Sequence, residues 1–455
     1  MHDDLQAKDR RYLWHPYTQM HDYAARDLLC IDRAEGIFLY DRSGKPYFDT
    51  ISSWWCIVHG HNHPTIMGAV RRQLERLDQV LLAGITHEPA ILLAEKLVQL
   101  TPPNLTKVFY SDNGSTACEI ALKMSLQYWR QSGQPERTEM VALGRGYHGD
   151  TIGTMSLGGV PEFHQAFAGL LFSSHRLPSP SCYRCPVGQE QASCDCQCLS
   201  AYEALLAERG RRLAALIVEP LIQAAGGMVV YPAKYLARIA AMTKAHGVHL
   251  ILDEVATGFG RTGTMFALEQ AGVGPDFLCL SKGLTGGVLP MAATLASDEI
   301  YQAFYGEYGA GRTFFHGHTF TGNPLAASAA LGSLAVFAEE ETLAGLPAKI
   351  DRLRQRLARF AALPWVGEVR QLGMIAALEL VRDKTAKTPF AAAERVGWPI
   401  YLKGLEEGLL LRPLGNIVYL WLPLSVTAAE IDEICERMWR VLAEPGNILD
   451  RRAES

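Results

Sequence analysis

What the chain lacks already excludes several classes of protein. No apolar run approaches the roughly 20 residues that span a bilayer. The opening stretch, MHDDLQAKDRRYLWHPYTQM, has no apolar core of the kind a secretory signal carries. Neither sign of charge dominates: 43 Lys and Arg against 48 Asp and Glu leave a net charge of −5. No like-charge tail or basic stripe offers a surface to nucleic acid. There is no internal repeat and no low-complexity linker. What remains is 455 residues, 48% hydrophobic and 20% charged, too many for one simple core and suited to a large domain with smaller attachments. A soluble cytoplasmic enzyme is the expectation.

Cysteine is not scarce. Cys30, Cys56, Cys118, Cys279 and Cys435 are scattered through apolar contexts and read as reduced, buried thiols. Cys182, Cys185, Cys194, Cys196 and Cys198 crowd instead into SCYRCPVGQEQASCDCQC. A C-x2-C followed by C-x-C-x-C could close a small metal site, could be a disulfide-prone surface loop, or could be inert. No histidine completes the set at a familiar spacing, and no residue is assigned to a metal.

Along the chain, DRAEGIFLYDRSGKPYFDT alternates apolar and polar residues around Ser43-Gly44, a hairpin signal behind an extended N-terminal arm. The adjacent Trp54 and Trp55 cannot both face one core from a strand, so one of them should line a cleft or an interface. Helical patterns fill 61–100. Strands are then expected at Val108–Tyr110, Met140–Leu143, Leu213–Val218, His249–Leu252 and Phe277–Leu280, alternating with helices. Such alternation implies an α/β fold with a mostly parallel sheet covered on both faces. A glycine-rich loop, RTFFHGHTFTGNP, precedes two helices and a closing α+β segment.

Two strand ends carry chemistry. His249–Leu252 runs into Asp253-Glu254, and Phe277–Leu280 runs into Ser281-Lys282-Gly283; open α/β sheets place ligands beyond such ends. A desolvated lysine loses proton affinity and becomes a usable amine nucleophile, as a Schiff-base lysine holding pyridoxal phosphate requires. Asp253 supplies a carboxylate that could keep a pyridine nitrogen protonated. Gly114-Ser115 opens a helix after a strand and turn, and free N–H groups there suit a phosphate, although Ser111, Asp112 or Asn113 could simply cap the helix. The run Gly258-Phe-Gly260-Arg-Thr-Gly263 matches the dinucleotide fingerprint literally. Five residues separate it from its strand, however, and no regular helix follows, so that reading fails.

LILDEVATGFGRTG followed by LCLSKGLTGG resembles the signature of the subgroup III aminotransferases, fold type I pyridoxal phosphate enzymes. WHPYTQM, SSWWCIVHGHNHP, GITHEPA, YSDNGSTACEIALKM, GYHGDTIG, VEPLIQAAGGM, FFHGHTFTGNPLA and LLLRPLGNIVYLWLP extend the likeness from Trp14 to about Leu424. They resemble in particular the branch that converts 8-amino-7-oxononanoate to 7,8-diaminononanoate in biotin synthesis. The resemblance implies pyridoxal 5′-phosphate as cofactor and a homodimer. It also implies a seven-stranded sheet in a large domain over 61–330, with N-terminal (1–60) and C-terminal (331–455) segments forming a small α+β domain.

By the same resemblance Lys282 is the Schiff-base lysine, Asp253 the partner of the pyridine nitrogen, and Gly114 and Ser115 the phosphate turn. His318 and Thr319 match residues that reach the phosphate across the dimer interface, and Gly317 a substrate contact. Tyr147 matches the residue stacked over the ring, with His148 and Asp150 beside it, while Glu219 and Gln223 fall near its phenolic side. Tyr17 and Trp54 match residues that recognise the amino-oxononanoate, Tyr17 also serving catalysis. Arg412 matches the arginine on its carboxylate, a role suited to a guanidinium fork; Arg261 is a second candidate whose plainer role is loop packing. His318 stands where the commonest family pattern has proline, which leaves a backbone N–H there. S-adenosylmethionine is the expected amino donor, with lysine the alternative. An ω-amino acid aminotransferase is the broader enzyme reading, and a metal-binding protein built on the cysteine cluster the non-enzyme one.

Overall fold

The computed structural model describes residues 2–190 and 192–444. At its centre lies a seven-stranded sheet made of β1 (Leu105–Ser111), β2 (Glu139–Leu143), β3 (His175–Leu177), β4 (Leu213–Val218), β5 (His249–Asp253), β6 (Phe277–Leu280) and β7 (Ala292–Ser297). The order across the sheet is β1-β7-β6-β5-β4-β2-β3. β7 runs antiparallel to both of its neighbours, and the remaining pairs are parallel. Every residue of β4, β5 and β6 is buried, as a sheet covered on both faces requires. The expected α/β fold with a mostly parallel sheet is therefore present. β3 and β7 were not anticipated: one is three residues long, and the other, AATLAS, is too rich in alanine to read as a strand.

The N-terminal segment departs from the expected extended arm, because it begins as the helix His2–Tyr12. The hairpin around Ser43-Gly44 is present within a three-stranded antiparallel sheet, Ile31–Glu35, Phe38–Asp41 and Pro46–Phe48. Phe48 joins this sheet to the C-terminal part of the chain, its N–H donating to Gly408 O and its carbonyl accepting from Leu410 N. Val366–Leu372, Ile375–Asp383 and Ile417–Trp421 pair antiparallel beyond it. Among the described residues, no helix is long and apolar enough to cross a membrane.

The segment Ser52–Trp55 is a left-handed turn, with φ of 50°, 45°, 73° and 75°. L-residues adopt this conformation at a cost of order 1 kcal/mol each, so its surroundings must hold it. Asp49 accepts from Ser53 N and Ser53 Oγ at 2.8 and 2.7 Å, and Ser52 Oγ donates to Trp421 O at 2.6 Å. The turn sends Trp55 into the core, 4.8 Å from Trp421 and stacked on it, while Trp54 stays 38% exposed. The two indoles do part company as expected, by a left-handed turn rather than by strand alternation.

Candidate active site

The C-terminal ends of β5 and β6 bring Asp253 and Lys282 to one cavity of about 360 Å³, which Gly114, Ser115, Tyr147 and Trp55 also line. Asp253 is the last residue of β5 and pairs in register with Cys279 of β6. Lys282 opens a 3-10 turn just after β6, with φ at +37°, a left-handed conformation that a lysine adopts only where its surroundings enforce it. Its Nζ lies 5.1 Å from the centre of the Trp55 ring. Burial lowers the Lys282 pKa, opposed by the charges of Asp253 and Glu219. The lowered pKa moves the side chain toward the free amine, the form that attacks a carbonyl.

The floor of the cavity is polar and buried. Asp253 Oδ2 lies 2.7 Å from His148 Nδ1, and Asp253 Oδ1 accepts from Val255 N at 3.1 Å. His148 Nε2 is buried without a partner, so the ring is held from its Nδ1 side alone. Cys118 closes in behind; it, His148 and Asp253 offer a sulfur, a nitrogen and an oxygen within 4.8 Å of one another. That spacing could hold an ion, but His148 and Asp253 already bond each other. Glu219 accepts from Tyr147 N and Ala224 N, both at 3.0 Å, and burial pushes its pKa up to about 7. The sequence pair Asp253-Glu254 is divided: Glu254 turns away and accepts from Ala267 N, Leu268 N and Thr257 Oγ1.

Helix α1 (Gly114–Gln131) presents its first turn to the same cavity. Asn113 is the cap, its Oδ1 accepting from Thr116 N at 3.0 Å, and this leaves the N–H groups of Gly114 and Ser115 outside the capping box. Both glycines nearby are sterically required. A Cβ on Gly114 would stand 2.4 Å from Val255 Cγ1, and one on Gly149 (φ +127°) would stand 1.8 Å from Ser115 Oγ. A buried amine, a carboxylate on the facing strand end and a helix N-terminus together fit a flat pyridine aldehyde bearing a phosphate.

A second cavity, about 610 Å³, gathers residues from opposite ends of the chain, among them Tyr17, Trp54 and Arg412. The Arg412 guanidinium lies 4.4 Å from the centre of the Trp54 ring, and Tyr17 meets that ring edge-on at 5.8 Å. Tyr17 bridges the two cavities. Its hydroxyl donates to Asp150 Oδ1 at 2.7 Å and lies 3.4 Å from the hydroxyl of Tyr147, which itself donates to Asp150 Oδ2 at 3.0 Å. Burial pushes the Tyr17 pKa up to about 12, and that of Tyr147 higher still.

Other sequence candidates fall elsewhere. Arg261 is no carboxylate ligand: it is buried, and its donors go to Ser52 Oγ, Leu422 O, Trp55 O and Ile57 O at 2.8–3.2 Å. It holds the left-handed turn from beneath, and burial lowers its pKa to about 10. Gly317, His318 and Thr319 do not line the Lys282 cavity of their own chain. The His318 N–H donates to Thr321 Oγ1 at 3.1 Å, so within the chain it is already used. Gln223 ties Gly144 O to Ser179 Oγ, at 2.8 and 2.5 Å, behind the Tyr147 loop. Sequence reasoning placed His148 only beside Tyr147; its partner Asp253 lies 105 residues away, a proximity no local pattern reveals.

The comparisons with known proteins agree with this geometry. The family profile for class-III aminotransferases matches residues 20–442. An adenosylmethionine-8-amino-7-oxononanoate aminotransferase of Geobacter sulfurreducens is 46% identical, over 94% of this chain and 95% of its own. The crystal structure of the enzyme of the same name from Methanocaldococcus jannaschii superposes with a TM-score of 0.92 at 41% identity, covering 97% of this chain and 99% of that one. A PLP-bound amine transaminase from an uncultivated Pseudomonas species gives a TM-score of 0.90 at 35% identity, over 95% and 98% of the two chains. Fold, strand-end lysine and likeness along nearly the whole length converge, and the chain belongs to the class-III aminotransferase family.

Proposed function

We propose that this protein is a pyridoxal 5′-phosphate-dependent aminotransferase that converts 8-amino-7-oxononanoate to 7,8-diaminononanoate, with S-adenosylmethionine as amino donor, in biotin synthesis. The observation that carries the chemistry is the buried Lys282 facing Asp253 beside the N-terminus of α1. The substrate assignment rests on the relatives that carry this name, at 46% identity and at 41% identity with a TM-score of 0.92.

When bound, pyridoxal 5′-phosphate supplies an electron sink next to the carbon that gains or loses the amine. Lys282 would hold it covalently, Asp253 would keep its pyridine nitrogen protonated, and the N–H groups of Gly114 and Ser115 would take its phosphate. Tyr147 would stack on its ring. Lys282 Nζ, its proton affinity lowered by burial, accepts the proton from the amine-bearing carbon of the donor and returns one to the acceptor. Tyr17, fixed by Asp150, orients the substrate at the mouth between the two cavities. Arg412, parallel work for a planar fork, binds the distal carboxylate of the amino-oxononanoate. We read the molecule as a homodimer in which Gly317, His318 and Thr319 serve the partner's site. Support comes from their exclusion from their own cavity and from the exposure of Phe315 and Phe320 on the same loop. Residues 1–60 and 331–455 would form the small domain, supported by the Phe48 hydrogen bonds across them; of these, residue 1 and residues 445–455 lie outside the described residues.

The test is product formation by the purified protein with cofactor, 8-amino-7-oxononanoate and either S-adenosylmethionine or L-lysine. Diaminononanoate should appear with S-adenosylmethionine only; product with lysine alone would transfer the donor role to lysine. Lys282→Ala should form no product, and borohydride should no longer fix the cofactor to the chain. A variant that kept both properties would overturn the role of Lys282.

A further inference from the structure

The function above leaves the cysteine-rich insertion unused, yet the fold treats it as a site. Cys182, Cys185, Cys194, Cys196 and Cys198 all line one cavity, remote from Lys282 and closed by Pro180, Pro186, Pro232 and Tyr235. Its volume is about 20 Å³, room for a single ion or water and for no organic ligand. All five are free thiols. The stretch 180–196 contains neither strand nor helix among its described residues, so little besides these side chains shapes it. Five sulfurs also cannot be used up in disulfide pairs.

Three further observations point to charged sulfur. Tyr235, 2% exposed, lines the cavity and has a buried hydroxyl with no hydrogen-bond partner; a thiolate beside it is the acceptor it lacks. Cations surround the loop from helix α2 (Ala233–Ala245): Lys234 donates to Cys194 O, and Arg238 pairs with Asp195 Oδ1 at 2.8 Å. Cys196 N already donates to Cys194 Sγ at 3.2 Å, a bond that strengthens when the sulfur is ionised.

We propose that the 180–198 loop is a structural thiolate site for a soft divalent cation, zinc in the first instance, held by Cys182 and Cys185 from one side and two of Cys194, Cys196 and Cys198 from the other. Four thiolates and one Zn²⁺ carry a net charge of −2, beside which stand Lys234 and the Arg238–Asp195 pair. No three of these sulfurs lie mutually within 4.8 Å. Zinc–sulfur bonds of about 2.3 Å therefore draw the loop inward, and each bound thiol releases its proton. The stem of the loop reaches the Tyr147 segment through the Ser179–Gln223–Gly144 hydrogen bonds, so the ion braces one wall of the cofactor cavity from outside.

The test uses the cofactor-loaded protein, reduced, given zinc and freed of excess by gel filtration. Metal analysis should find about one zinc per chain, with about four fewer thiols open to a disulfide reagent than in the zinc-free protein. Cobalt in its place should give the intense sulfur-to-metal charge-transfer absorption of a tetrathiolate. Cys182→Ser/Cys185→Ser should lower bound zinc at least about tenfold, while Cys30→Ser, outside the cluster, should keep it. Substoichiometric zinc in the reduced wild-type protein, or full zinc in the double variant, overturns the proposal. So does a wild-type chain isolated metal-free with disulfides in this loop that re-binds no zinc after reduction. If the double variant does not fold, the wild-type thiol count and cobalt spectrum decide alone.

Discussion

His148 Nδ1 stands 2.7 Å from Asp253 Oδ2, with both side chains closed off from solvent. A carboxylate meant to hold a proton on a ring nitrogen must itself be aimed, and this contact aims it. His148→Phe should leave Asp253 short of one partner. At about 1.5–3 kcal/mol for a hydrogen bond to a charged group, cofactor affinity and kcat should together fall roughly 10- to 150-fold. His148→Asn, which keeps a donor, should recover part of the loss. Titration of cofactor into the stripped protein and steady-state kinetics measure both; values within about threefold of wild type would reduce the contact to packing.

Glu219 predicts a pH dependence of stability. Burial raises its pKa from 4.5 to about 7, so between these values the folded chain keeps a proton that the unfolded chain has lost. Its stabilising contribution is complete below about 4.5 and is lost as pH rises through about 7, a change of about 3 kcal/mol. Glu219→Gln removes the titration. The stability of wild type relative to this variant should therefore decline as pH rises across the window, at equal cofactor loading, in denaturant unfolding. A difference that stays flat with pH would place the titration elsewhere.

The Arg412 guanidinium lies over the Trp54 ring, 4.4 Å from its centre, in the second cavity. Arg412→Leu should raise KM for 8-amino-7-oxononanoate about 10- to 100-fold, the worth of a charged bidentate contact, with a much smaller change in kcat. Arg412→Lys should recover little, because an ammonium neither forks nor stacks. Equal loss in KM and kcat would show instead that the arginine acts on the reacting centre.

Arg261 should matter for stability without touching substrate. Arg261→Met removes the donors to Ser52 Oγ, Leu422 O, Trp55 O and Ile57 O and deprives the three buried carbonyls of this partner. Several unmet polar groups at about 1–3 kcal/mol each give a loss of about 3–5 kcal/mol, read as a lower denaturant midpoint. A variant as stable as wild type would show that the left-handed turn holds itself.

The strands and the catalytic pair were legible because their signals are local. Phe277–Leu280 and His249–Leu252 are short apolar runs with polar ends, and the sheet places those ends side by side. Alanine-rich β7 gave no such run. The left-handed turn at Ser52–Trp55 carries no glycine to announce it; it exists because Asp49 just before it and Trp421 and Arg261 from far along the chain converge on it. Arg261 stands in the sequence between two roles, carboxylate ligand or loop packing, and the packing decides for the second: its guanidinium is spent on Ser52 Oγ and the carbonyls of Leu422, Trp55 and Ile57. Tyr17, Trp54 and Arg412 were assignable through family likeness alone, since they meet across nearly 400 residues of chain.

The left-handed turn has one more consequence. It works as a partition with an indole on each face, Trp55 toward the cofactor cavity and Trp54 toward Arg412. A substitution that reshapes the compartment for a bulkier or shorter acid pushes on the same four residues that back the lysine's chamber. Altered substrate scope and weakened cofactor retention should thus arrive together, and variants selected for one will need a compensating change beneath the partition, at Asp49 or Arg261, to escape the other.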